Sequence, residues 1–313
     1  MAVIGERFVY DVSDPIKPRL ICRATNSEVH VVSKTAVAYT TTIDGRVVVV
    51  RRDLASHADT VVGSLPVDPS ANPFGVHTAW ESDASMEVYM TYGPQGINGT
   101  NTSHIHLWSM GTDHLLFDVH FPSTGFEDPY SPMGLWVFSP DQAYVAVGAL
   151  FDWHLRIFST ADAHQVIDAG APRSGLYGGT WLGNNRFVWA ADSLMQWTPA
   201  GGISQLRSER WYQPVSSPDG MWLAGTDISD QTNPRVKITS ADGAKTFDAG
   251  RGSSAGFVGP TVVWYSEQAP FAPYRAGTYH AFDVKSGTDT TFLFKAGEEP
   301  VDSGISWCCG PEA

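Results

Sequence analysis

Apolar and polar residues alternate with a period of two along most of this chain, in short runs broken by Gly, Pro, Asn and Asp. His104-Ile105-His106-Leu107-Trp108 and His154-Leu155-Arg156-Ile157-Phe158 are clear instances. Successive side chains of a strand point to opposite faces, so this pattern predicts half-buried β-strands, and no segment carries the longer period of a helix. The strands come in groups that recur roughly every forty to fifty residues. Each group has a short strand rich in small residues, a tight turn, an apolar second strand, an alternating third strand and an outer fourth. Aligned on the residue before the turn, the registers are Val32, Trp80, Phe138, Trp181, Ser216, Phe257 and Trp307. Second strands are expected at 37–41, 87–91, 144–148, 187–191, 222–226 and 262–266.

A period of this length built from short strands predicts a β-propeller, an all-β fold in which each four-stranded blade packs only on its neighbours. The blades are expected at about 27–66, 76–122, 133–170, 176–208, 211–249 and 253–296, in one domain over 1–313. The seventh combines both ends of the chain, 301–309 with 2–24, and so closes the ring without an exposed edge. Two turns are especially informative: Phe138-Ser139-Pro140-Asp141-Gln142 and Ser216-Ser217-Pro218-Asp219-Gly220. Proline presets φ, aspartate bonds to its own backbone and glycine accepts a positive φ. These Ser-Pro-Asp-Gly turns, with Gln142 in place of glycine in the first, resemble the WD40-like repeats of the TolB family and the propeller domains of prolyl oligopeptidases. The Trp-Asp dipeptide of true WD40 repeats is missing. No hydrolase domain follows, so oligopeptidase activity does not carry over; the resemblance implies a recognition scaffold or an enzyme working on one face.

Composition narrows the partners. The 313 residues carry a formal net charge of −13 with no run of basic residues, which disfavours nucleic acid and anionic membranes. No apolar stretch is long enough for a transmembrane helix. Residues 1–7 do not read as a signal peptide, and an extracytoplasmic or secreted location is expected with any signal segment absent from this chain. Cys22, Cys308 and Cys309 make neither a disulfide framework nor a four-ligand zinc site.

Propellers place ligands on the face where innermost strands begin. The segments expected there are aromatic and cationic: Arg173, Tyr177, Arg210, Trp211, Tyr212 and Arg251, with Glu28, His77 and Asp302. Adjoining loops add Asp152, Trp153, Asp192, residues 227–234, Tyr274 and Arg275. Aromatic planes stack on sugars or other planar groups, and arginine forks pair with carboxylates. The expected ligand is therefore a carbohydrate, a small anion or a protein partner. Should the face be catalytic, it is expected to act as a lyase or hydrolase on a carbohydrate or other anionic substrate. Likeness to propeller lyases, in which a base removes a proton next to a carboxylate and arginine neutralises the developing charge, makes His77, Tyr212 and Arg210 the candidates. His104 and His106 share one side of a strand at a metal-ligating spacing, but His154 and His280 occupy similar third-strand positions, which points to packing. No cofactor or metal is expected.

Overall fold

A computed structural model of the chain describes residues 2–4, 8–11, 14, 16–17, 19–23, 29–33, 35–67, 79–80, 85–92, 100–109, 111–122, 133–149, 154–173, 175–266, 278–292 and 305–307. Among these residues there is no helix, and the strands form antiparallel sheets. All seven aligned turn registers lie within strands. The second strands also fall where the alternation places them, as in Tyr144–Ala149 and Trp222–Asp227. The chain divides into two compact units, 35–176 and 1–34 with 177–313.

In the first unit, the strands Ala79–Trp80, Met86–Tyr92, Thr100–Ser109 and Thr112–Pro122 make one four-stranded sheet. Met133–Phe138, Tyr144–Ala149, Leu155–Ser159 and Gln165–Asp168 make the next. Their facing side chains, among them Val88, Met90, Ile105, Leu107, Val145, Val147 and Phe158, form one apolar cluster. Stacked sheets sit about 10 Å apart, a gap that branched and aromatic side chains fill.

The second unit contains Gly179–Trp181, Phe187–Ala190, Leu194–Thr198 and Gly202–Arg207 as one sheet. Beside it lies a seven-stranded sheet running from Trp211–Ser216 to Thr288–Phe292. Its middle strand, Thr246–Val258, spans 13 residues. The first part pairs with Arg235–Ser240 as an outer strand, and the second pairs with Thr261–Ser266 as an inner one. The strand runs on through the glycines at 250 and 252, with pairing to Arg235–Ser240 ending at Arg251 and pairing to Thr261–Ser266 beginning at Gly252. A further sheet joins the two ends of the chain. Ile305–Trp307 pairs antiparallel with Ala2–Ile4, Ala2 lying opposite Trp307, and Phe8–Asp11 and Arg19–Arg23 complete it.

The Ser-x-Asp turns are clasped as their chemistry demands. Ser139 Oγ donates to Asp141 at 2.7 Å and accepts from the Tyr144 amide at 3.0 Å. The same three-way clasp recurs at Ser217-Asp219-Trp222 and at Ser240-Asp242-Lys245. Gly220 has φ +66°, and Gln142 adopts +62° at the equivalent position, a conformation that costs an L-residue about 1 kcal/mol.

A second recurring device ties third strands to outer strands. A basic residue on the third strand, or for His154 just before it, meets an aspartate on the fourth: Arg52 with Asp59 at 2.7 Å, His104 with Asp118 at 2.7 Å, His154 with Asp168 at 2.9 Å, and His280 with Asp289 at 2.6 Å. Arg235 and Lys237 share Asp248. The histidines whose recurrence suggested packing between blades are thus bonded within their own sheets. His106, at 3.0 Å from Asp113, also stacks on Tyr89 of the adjoining strand. Among the described residues no cluster of His, Cys, Asp or Glu has the arrangement of a metal site.

Candidate functional site

The end of the second unit where innermost strands begin is built by the register. Trp211, first residue of its strand, lies opposite Asp227, Asp227 opposite Arg235, and Arg235 opposite Arg251. Arg210, the loop 228–234 and Arg251 therefore gather at one end of the sheet, and the Ser217-Asp219 turn lies at the other. Tyr177 enters from the neighbouring sheet. Its carbonyl accepts from the Gln213 amide at 2.6 Å, and its amide donates to the Ala190 carbonyl at 2.9 Å.

Local backbone features permit this approach. Gly178 has φ +104°, and a Cβ there would lie 3.1 Å from Gln213 Cα. Gln213 has φ +47°, and the register slips between Tyr212 and Val215, so that an extra residue bulges from the strand. Pro214 follows and has no amide to leave unpaired. A bulge of this kind redirects neighbouring side chains and is frequent beside binding sites.

Three of the side chains expected in the site come together here. Arg210 Nη2 donates to Tyr177 Oη at 3.2 Å, and its guanidinium carbon lies 5.7 Å from the Tyr177 ring centre. The Tyr212 ring centre is 6.3 Å from that of Tyr177, tilted by 54°. All three residues are half-buried. The Arg210 backbone is pinned: its amide donates to Ser229 Oγ at 3.1 Å and its carbonyl accepts from the Ile228 amide at 2.7 Å. Its head is not. Nε is buried with no hydrogen-bond partner, and among the described residues no carboxylate pairs with the guanidinium. A guanidinium offers five N–H donors and cannot shed its charge, so a buried unmet donor carries a substantial desolvation cost.

Trp211 requires a correction. It was expected as a stacking surface for ligand, but it is only 1% exposed and belongs to the core cluster of Leu182, Val188, Leu194 and Leu223. The reason lies in alternation: with the side chains of Arg210 and Tyr212 beside Tyr177, Trp211 points to the opposite face of its strand and lies over Gly225. Arg251 is exposed, and its Nη2 donates to the Thr232 carbonyl at 3.3 Å. Arg173 is exposed in the other unit. Glu28, His77, Asp152, Trp153, Tyr274, Arg275 and Asp302 lie outside the described residues.

The loop 228–234 was anticipated only as a stretch of sequence; its part emerges from hydrogen bonds. Asp227 Oδ1 accepts from the Ser229 amide, and Asp230 Oδ1 accepts from the Thr232 amide and hydroxyl. The Thr232 hydroxyl and amide, with weaker help from the Arg251 charge, hold the Asp230 carboxyl below its usual range. Asp-x-Ser and Asp-x-Thr spacings are ordinary side-chain turns and could have been read as such. No helix among the described residues is long and apolar enough to cross a membrane.

No protein-family model matches the chain, and no curated protein sequence matches it. Solved structures do. The C-terminal WD40 domain of Sif2 aligns with a TM-score of 0.51 at 13% identity, covering 82% of this chain and 68% of that one. An uncharacterised protein of Listeria monocytogenes aligns at 0.51 and 8% identity, covering 93% and 84%. A prolyl endopeptidase aligns at 0.56 and 13% identity, covering 92% of this chain but 46% of that chain, so this chain spans about half its length. At these identities the likeness is one of fold: the protein has a WD40-like β-propeller fold.

Proposed function

We propose that this protein is a recognition propeller that binds an anionic ligand at the end of the blades where Tyr177, Arg210 and Tyr212 meet. The carrying observation is Arg210. Its backbone is fixed by Ser229 and Ile228, its head leans on the Tyr177 ring, and Nε is buried without a partner. In this chain of 33 acidic and 20 basic residues, Arg52, Arg235 and Lys237 each pair with a local aspartate, whereas Arg210 has no carboxylate partner among the described residues. A carboxylate-bearing ligand supplies the missing charge and acceptor, and the two half-buried tyrosines supply flat surfaces for its frame. An arginine with an unmet donor beside two tyrosines is a set of groups suited to holding an anion, and binding is the function these groups support.

Calorimetric titration with galacturonic acid and with galactose separates the contributions. The acid binds and the neutral sugar does not, and Arg210→Lys weakens binding because a bidentate fork becomes a point charge. Equal binding of the two sugars, or full affinity in both Arg210→Lys and Arg210→Ala, would remove the basis for the proposal.

A further inference from the structure

A second arginine stands one blade along. Arg251 is exposed, and among the described residues its side chain's one hydrogen bond is to a backbone carbonyl, that of Thr232. It sits where the strand Thr246–Val258 passes from outer to inner strand, the position in the next blade equivalent to Arg210 in its own. One loop serves both: Ile228 and Ser229 bind the Arg210 backbone, Thr232 binds the Arg251 head, and the Pro234 carbonyl accepts from the Gly252 amide. The ladder Trp211–Asp227–Arg235–Arg251 crosses three strand spacings, about 14 Å in all. Asp230 is the acidic group beside Arg251; its carboxylate is turned to its own loop, at 2.7 Å from the Thr232 hydroxyl and 3.0 Å from the Thr232 amide. Asp227 is likewise occupied by Ser229. Opposite Arg251, Arg235 is already paired with Asp248.

We infer that the ligand is an acidic oligosaccharide, bound by two carboxylates at once, with Arg210 and Arg251 as the two contacts and the tyrosines under the sugar rings next to Arg210. This rests on the anion-binding reading of Arg210 and extends it. Two cations on successive blades cannot both be met by one small anion. A chain with repeated carboxylates meets both, and its second contact is gained without a second loss of free motion.

The test is calorimetric titration of the full chain with galacturonic acid, its hexamer, a neutral galactose hexamer and a hexaglutamate peptide. The galacturonate hexamer should bind at least tenfold more tightly than the monomer, and Arg251→Ala should abolish that advantage. Asp230→Asn should tighten the hexamer severalfold, an outcome that no loss of folding can imitate. If only the hexamer binds measurably, Arg251→Ala should weaken it tenfold or more. An advantage that survives in Arg251→Ala, with Asp230→Asn also without effect, overturns the two-site proposal while leaving the Arg210 reading intact. Hexaglutamate binding as tightly as the hexamer would replace the sugar by an acidic peptide and overturn the ligand class. Binding unaffected by Arg210→Ala would instead sink the underlying reading.

Discussion

Trp211 and Gly225 make a pair whose energetics test the packing of the blades. The Trp211 ring lies where a Cβ on Gly225 would stand 2.7 Å from Cε3 and 3.2 Å from Cζ3. Favourable carbon contacts fall near 3.5–4.0 Å, so Gly225→Ala forces the ring back by about 1 Å. Overpacking of this size costs about 1–3 kcal/mol. Trp211→Ala removes a side chain buried to 1% exposure and should cost about 3–5 kcal/mol. The double variant decides the cause. With the ring gone, the new methyl has room on that side, and alanine restricts the unfolded chain by about 0.4–1 kcal/mol relative to glycine. Contact with the Pro214 backbone at 3.3 Å takes back part of this. Gly225→Ala should therefore be destabilising alone and close to neutral in the Trp211→Ala background. Urea unfolding of the four proteins, followed by fluorescence and circular dichroism, gives the cycle. Additive costs, or a Trp211→Ala variant as stable as the parent, would show that Trp211 does not pack on this strand.

Gln142 holds φ +62° where its counterpart is Gly220, so Gln142→Gly should raise stability by up to about 0.5 kcal/mol, the relief of a left-handed L-residue less glycine's greater unfolded freedom; a lower urea midpoint would refute it. Acid should loosen the ties between third and outer strands. Burial pushes the Asp248 carboxyl up, but hydrogen bonds and charge from Arg235 and Lys237 outweigh it and hold it below the usual range; at Asp168 burial is likewise outweighed, by the Gly170 amide and His154. A depressed folded value means the stabilisation is present above the unfolded value of about 3.9 and is lost as pH falls through the folded one. Stability should accordingly decline below about pH 4, and less steeply in Asp248→Asn; an unchanged acid slope would rule these ties out as the cause. Removing residues 305–313 takes away the strand paired with Ala2–Ile4 and should lower the thermal midpoint and promote association through the bared edge; an unaltered midpoint in a monodisperse protein would contradict that pairing.

Strand placement was legible because a strand with one face buried and the other solvated alternates with a period of two, and the Ser-Pro-Asp turns punctuate it. The pairing of Ile305–Trp307 with Ala2–Ile4 could be read for a related reason: neither end carries a full set of strands, but together they do. The continuous Thr246–Val258 strand was not legible, because glycines at 250 and 252 look like a break and only the two ladders on either side reveal otherwise. At the site, Tyr177, Arg210 and Tyr212 were recognisable as aromatic and cationic residues entering inner strands. Trp211 was misplaced because composition says nothing about which face a residue takes; the two-residue period, applied to 210–212 alone, separates it from its neighbours. The bonds from Ser229 and Thr232 to the two arginine positions depend on how a loop folds back, which no local pattern encodes. The histidine–aspartate ties needed the register of pairs such as His104 and Asp118, which sequence spacing does not fix.

The most direct measurement is a crystal structure of the protein with the galacturonate hexamer. The account predicts a carboxylate within hydrogen-bond distance of the Arg210 guanidinium, a sugar ring against Tyr177 or Tyr212, and a second carboxylate at Arg251. A hexamer seated at the opposite end, beside the Ser217-Asp219 turn, or one bound with Arg210 untouched, would contradict it.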